Sequence, residues 1–591
     1  GRSHSLTDTV TGIDKNLICN NQNQQATDAD RIIAKSANGF TLYGDGTNVN
    51  YANDKFVSWT FRKAPGFFDV VTYTGDGVAG RTVSHNLGSV PGMIIVKSTS
   101  NTSDWYVYHA SEGPTKYLRL NTTDLASTGA GPWSNTAPTA SEFTVQSVTN
   151  YSGQDYVAYI FAHDDASFGT DGDESIIKCG SFTHSSSVGN EIDLGFEPQW
   201  LLYKSATSTI GWYVWDTMRG WSVNSSSTLQ PNTTSAESIT NDESAGFPQI
   251  TNTGFKVGTN NFTGDNQTYI YMAIRRPHKP PTVGTEVFAT TRGTTDAYAT
   301  LYTSGFPADL VFQKSVGGGG FGTYTWSRLA GKNYMDFTSN QTEVGGRDPV
   351  MDSNTQFSGF GGLGSADGDL SFFAFKRAPG FFDVVAYKGN FTTGRQITHN
   401  LEVVPELIIV KRRDANGHWG VYHKDLPLDN GEQNQTQAVF LNFDVSSGGY
   451  GFLAGHNYQT DTHFTTWYSS EGDWNISNAD YISYLFATLP GISKIGSYSG
   501  TGNTINVDCD FTAGARFILI KRTDSSGDWY FWDSVRGIVS GNDPYLLINT
   551  TGAEVTNTDY VDPLNAGFTV TSSAPAALNA SGGTYIFLAI A

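Results

Sequence analysis

The sequence predicts an all-β chain: a tandem array of β-sandwich domains, jelly-roll or immunoglobulin-like, of about 100 residues each. Three observations carry this. The stretch at residues 91–109 is stated five times, returning at 198–216, loosely at 307–326, at 405–423 and at 515–533. In four copies a lysine closes one short apolar run and a tryptophan opens the next: Lys97 and Trp105, Lys204 and Trp212, Lys411 and Trp419, Lys521 and Trp529. Both runs are rich in β-branched and aromatic residues, and the segment between them is Ser, Thr, Asn, Asp and Gly, as in a β-hairpin. The second observation is an apolar closing strand at 56–61, 156–161, 269–274, 370–375, 481–486 and 585–590. Its near-continuous apolar character implies cover on both faces, or a place at a domain interface. Third, the hairpin lysines, with Lys314 in the loose copy, recur about every 100 residues, too far apart for a solenoid turn or a propeller blade.

One unit justifies the elements in order. A first strand at 67–73 is followed by a Gly-Asp-Gly turn, a second strand at 81–87, and the hairpin at 93–97 and 105–109. A fifth strand is expected at 117–121, a sixth at 143–146 and a seventh at 156–161, and no stretch carries a convincing 3.6-residue period. The resulting division is 1–64 as a partial repeat holding the later half of a unit, then 65–170, 171–281, a divergent 282–378, 379–490 and 491–591. In the divergent repeat Gly322 stands where tryptophan is expected, beside Phe321 and Tyr324. Prolines soon after most closing strands (Pro65, Pro277, Pro379, Pro490) end pairing and stiffen short joints, so the expected arrangement is a semi-rigid row. A half-sandwich does not bury its own core. The partial first repeat therefore implies a longer protein or completion by another chain.

Composition narrows the function. The formal charge of −20 repels nucleic-acid phosphates, and no Lys/Arg run suggests an anionic membrane surface. No apolar run approaches the length of a membrane-spanning helix. Cys19, Cys179 and Cys509 lie in different repeats, so free, buried thiols are expected rather than a disulfide framework.

Chemistry-bearing motifs are sparse. G-x-S-x-G, H-E-x-x-H, G-x-x-x-x-G-K-[ST] and C-x-x-C are all absent, and the Gly-rich stretches 317–320 and 359–364 lack the strand-to-helix setting of a phosphate loop. His85 and His399 share a His-Asn-Leu context without a second ligand at metal spacing, so each is expected to bond a loop carbonyl, as are His109 and His423. The acidic turn at 171–174 misses the calcium-loop pattern. Asp104 and Asp528 precede hairpin tryptophans but have no facing carboxylate for a glycosidase pair. No catalytic, metal or cofactor site is expected. The binding candidates are Trp105, Trp212, Trp419 and Trp529, whose flat faces suit sugars. Alternation argues instead for the inter-sheet core, since each shares a face with the residue two later (Val107, Val214, Val421, Phe531). Asn-x-Ser/Thr triplets (Asn121, Asn232, Asn261, Asn266, Asn390, Asn475, Asn549) are expected by chance in so Asn- and Thr-rich a chain.

The run His-Asn-Leu-x-x-x-Pro-x-x-Ile-Ile-Val-Lys and the following Trp-x-Val-Tyr-His, with the repeated Asn-Thr-Thr and the closing Tyr-x-x-x-x-Phe strand, resemble repeats in structural proteins of marine tailed bacteriophages, especially cyanophages. The resemblance implies a virion component, extracellular, of the fibre, spike or appendage kind. The function expected is non-enzymatic host-surface attachment by an elongated array, through many weak contacts. Its partners would be other virion proteins and host-surface polysaccharide, with no nucleic acid and no membrane insertion. A homo-oligomer is expected, and a trimer would suit an appendage. The rival expectations are an architectural capsid or tail decoration protein that binds no receptor, and an extracellular carbohydrate-binding adhesin array.

Overall fold

The computed structural model describes the chain apart from residues 28–31, 43–48, 170, 241–246, 260–265, 294–299, 347–348, 360–368, 429–435, 449–457 and 467–473. It is all-β, with separate antiparallel sheets and short helical turns. The chain divides into two compact units, Gly1–Pro277 and His278–Ala591.

The second repeat shows how the sequence is used. Its main sheet runs, from one edge, Ser127–Thr128, Lys116–Arg119, Tyr106–His109, Pro91–Ser98, Asp155–Ala162 and Phe68–Thr74. Glu142–Val145 pairs with Arg81–Ser84 as a small second sheet. All seven expected strands are present, with one added edge pairing. The fourth, fifth and sixth repeats carry the same order in five-stranded sheets. In the third, the four-stranded sheet Ile177–Thr183, Thr268–Arg275, Pro198–Ser205, Tyr213–Asp216 lies with a three-stranded partner.

The closing strand sits centrally, paired on one side with the leading strand and on the other with the first hairpin strand. Its two faces have different jobs. In the sixth repeat Tyr585, Phe587 and Ala589 belong to the sandwich core with Ile518, Ile520 and Trp532. The alternate residue Leu588 points the other way, toward the fourth and fifth repeats, together with Phe517 and Leu519. There, four side chains from each of the three repeats line an apolar pocket of about 30 Å³. A strand apolar on both faces is therefore one that serves two cores.

Within the unit His278–Ala591 the three repeats close on one another instead of forming a row of self-sufficient domains. Apolar surface on the outer face of each main sheet is what drives this, because burying it against a neighbour removes it from water. The unit Gly1–Pro277 is built likewise. Leu17 and Cys19 of the first repeat share one core cluster with residues of the second and third, including Trp105, Trp200 and Trp212.

Two expectations need correction here. Residues 56–61 of the first repeat form no strand, and no strand pairs with them among the described residues. Position 322 is not the tryptophan position either. Lys314 pairs with Thr323, as Lys521 pairs with Trp529, so an extra loop residue moves Thr323 into that place. Of the Gly-rich stretches, 317–320 is a turn-forming loop; residues 360–364 lie outside the described residues.

Candidate functional site

In the sixth repeat Lys521 and Trp529 form the last cross-strand pair before the hairpin loop, which puts both side chains on one face of the sheet; in the second, third and fifth repeats the lysine and tryptophan directly follow the last pair. Lys411 Nζ lies 5.9 Å from the centre of the Trp419 ring. All five lysines are fully buried. Each ammonium reaches the carbonyl of a neighbouring repeat: Lys97 to Gln22 (3.0 Å), Lys204 to Thr123 (3.2 Å), Lys411 to Asn340 (3.2 Å), Lys521 to Asp444 (3.0 Å), and Lys314 to Thr550. Four also cap a carbonyl of their own loop: Ser103 (2.8 Å), Ser208 (3.3 Å), Gly417 (2.7 Å) and Gly527. Burial pulls these lysines down to about 8. At neutral pH they still hold their protons and act as donors.

The tryptophans reach the same neighbours. Trp105 Nε1 donates to the carbonyls of Ile18 and Asn21 (3.2 Å each), Trp212 to Arg119 (2.9 Å), Trp419 to Asp336 (2.9 Å) and Trp529 to Phe440 (2.8 Å). Their backbone N–H groups donate to asparagines of their own repeats, Asn121, Asn232, Asn442 and Asn549, at 2.9–3.1 Å. In the fourth repeat Thr323 substitutes. Its N–H donates to Asp336 Oδ1 at 3.1 Å and its hydroxyl to the Ile548 carbonyl at 2.9 Å. Gly322 is required beside it, since a Cβ there would lie 2.4 Å from the Asp336 carboxylate. A backbone bond completes each clasp. The N–H groups of Gln25, Ala126, Glu343, Ser447 and Glu554 donate to Thr99, Ala206, Arg413, Thr523 and Val316 at 2.8–3.0 Å.

These bonds run in a closed circuit. In the second unit the sixth repeat clasps the fifth, the fifth clasps the fourth, and the fourth clasps the sixth. In the first unit the third repeat clasps the second and the second clasps the first. The circuit closes where Trp59 of the first repeat donates to Asp216 of the third at 3.0 Å.

The far ends of the hairpins also touch neighbours. His109 Nε2 faces the Tyr271 carbonyl at 3.0 Å while its Nδ1 accepts the Ser111 N–H at 3.2 Å, which fixes a neutral tautomer. Burial holds both His109 and His423 down at about 4. His109 thus bonds a strand carbonyl of the next repeat rather than a loop of its own. His399 does meet a loop carbonyl, Thr460, at 3.2 Å. His85 accepts the Leu87 N–H at 3.2 Å and stacks on Phe143.

The binding candidates Trp105, Trp212, Trp419 and Trp529 are 0–2% exposed, which leaves no ring face for a sugar. Trp105 and Trp212 lie in the core cluster that their unit shares, whereas Trp419 and Trp529 are outside the core clusters of their own repeats. In the sixth repeat the core place belongs to Trp532, whereas Trp529 and Phe531 face the neighbouring repeats. Asp104 and Asp528 are engaged by Asn121 (2.9 Å) and Asn549 (2.8 Å). In the acidic turn Glu174 pairs with Arg275. Among the described residues no three His, Cys, Asp or Glu gather as a metal site. Cys19, Cys179 and Cys509 are free and buried.

Sequence reasoning missed two participants. The asparagines Asn121, Asn232, Asn442 and Asn549 clamp the tryptophan backbone, and the Thr-Thr that follows three of them was the available signal. The second is His4. Its N–H donates to Asn20 Oδ1 at 3.2 Å, and its carbonyl accepts from Cys19 at 3.0 Å, as Trp105 does with Asn121 and Leu120. His4 thus occupies the tryptophan position of the first repeat, and its ring faces the Gln230 and Thr233 carbonyls of the third.

A family model described as Domain of unknown function (DUF7483) matches residues 1–277 and 355–591. The unmatched span covers most of the repeat in which threonine replaces tryptophan. No curated protein matches the chain.

Proposed function

The chain belongs to the DUF7483 family, and with its fold in hand we propose that it is a non-catalytic structural protein of a tailed-phage virion, part of a host-facing appendage. One observation carries the structural half of this reading. The lysine and tryptophan side chains repeated from unit to unit are spent on cohesion between repeats, and the asparagines hold the tryptophan backbone from within each repeat. A chain whose recurring chemistry is turned inward serves as a rigid building part. The resemblance of its hairpin motif to cyanophage structural repeats supplies the virion setting.

Attachment to the host would be made by surface loops carried in several copies, each contact weak and the sum strong. The buried tryptophans favour a second reading, an architectural decoration protein that contacts only other virion proteins. Binding of the labelled chain to candidate host cells, before and after surface polysaccharide is stripped, separates the two. Saturable binding lost on stripping supports attachment. Absence of binding by the assembled protein, with immunogold labelling on purified virions, leaves the architectural role. Absence from virions rejects both.

A further inference from the structure

Phe312, Ile409 and Leu519 hold the same place in their repeats, two residues before the clasp lysines Lys314, Lys411 and Lys521. Residues two apart on a strand share a face, so the face that carries each clasp also carries one of these side chains. All three line the apolar pocket of about 30 Å³ where the fourth, fifth and sixth repeats meet. The twelve lining side chains are 1–7% exposed, so the pocket lies inside the unit and not on its surface.

The pocket has a cause in the sequence. Phe337, Leu441 and Ile548 are a second equivalent set, each donating its N–H to the carbonyl at the tryptophan position of its own repeat. The fourth repeat therefore presents phenyl rings at both places, where the fifth presents Ile409 and Leu441 and the sixth Leu519 and Ile548. Aliphatic side chains are shorter than phenyl rings, so two of the three repeats stop short of the centre.

Size and polarity together decide what fits. Room of about 10–15 Å³ suffices for one water, so the pocket is wide enough for small guests. Water also needs about two to four polar partners. Eleven of the lining side chains are hydrocarbon, and the twelfth, Tyr484, brings one hydroxyl with Thr325 beside it. Lining atoms that face a gap forgo dispersion contacts on that side, and an apolar guest supplies them.

We propose that this pocket is a binding site for one small apolar molecule, a xenon atom or a hydrocarbon of about two or three carbons. The guest touches all three repeats at once. Opening the circuit of clasps would return both the guest and its lining to water, so occupancy holds the ring closed. Cohesion of this unit thereby responds to a ligand that makes no polar contact, whatever surface the protein attaches to.

Xenon is the probe, applied to the whole chain and followed by methyl NMR. Methyl signals of Ile409, Leu441, Leu519, Ile548 and Leu588 should shift saturably with xenon pressure, while those of exposed Val188 drift linearly. The melting temperature should rise, as for any ligand that binds only the folded state. Amide exchange should slow together in Leu310–Ser315, Leu407–Arg412 and Phe517–Arg522. Ile409→Phe copies the ring that Phe312 already supplies in the fourth repeat, and should abolish saturation. Leu441→Phe, copying Phe337, serves as the second filling variant if the first folds poorly. Linear shifts at the pocket methyls, exchange slowed in one repeat only, or a folded filling variant that still saturates overturns the proposal. So does a long-lived water detected by its nuclear Overhauser contact with the Ile409 methyls.

Discussion

A buried indole at a hairpin end does two things: it fills space between repeats and satisfies a neighbour's carbonyl. Burying about 200 Å² of ring contributes about 5 kcal/mol of transfer free energy, and the N–H about 1 kcal/mol more. Trp529→Phe should therefore cost about 1–3 kcal/mol, mainly from the orphaned Phe440 carbonyl, and Trp529→Ala about 3–5 kcal/mol, read from urea midpoints. Thr323→Val keeps the shape and removes the hydroxyl, so a loss of about 1–2 kcal/mol is expected by the same assay. The histidines set an acid limit. Unfolded His109 takes up a proton near pH 6.5, while the folded ring resists until about 4. Between those values the unfolded state binds more protons, so stability falls as pH drops from 6.5 to 4, by up to about 3 kcal/mol. His109→Gln should flatten that part of the profile, seen by comparing urea midpoints at pH 7 and 4.5.

At the scale of strands, the fixed lysine-to-tryptophan spacing was enough to read the hairpin, because the two residues flank a loop of constant length at the end of the ladder. Where the loop gained one residue the spacing misled, and pairing with Lys314 passed from Gly322 to Thr323. Gly322→Ala should push Asp336 off the Thr323 N–H and cost about 1–3 kcal/mol, checked by thermal melting. Alternation identified which residues share a face with each tryptophan. It did not say which core that face enters, since period two is the same for a sandwich interior and for a contact between repeats. The closing strand held the missing information. Its apolar character on both faces required a second core, which was to be found within the unit rather than in a joint between domains. Residues 56–61 have the composition of a strand but no strand pairs with them among the described residues, and strand formation is a property of pairs.

Across a whole unit, the circuit of clasps makes each repeat depend on both others. Damage should therefore spread. In Trp529→Ala, hydrogen exchange should rise in Leu407–Arg412 and Leu310–Ser315 as well as in Phe517–Arg522. A rise confined to the sixth repeat would sink the picture of a cooperative ring. Closure also bears on how such a chain is free to change length over evolutionary time. An open stack of repeats grows or shrinks by one, because a new member meets the same neighbours as the old. A three-membered circuit has no vacancy for a fourth member, and losing one leaves two sticky ends. Gene duplication in this family should therefore be tolerated in multiples of three, and intermediate copy numbers should be rare among its members.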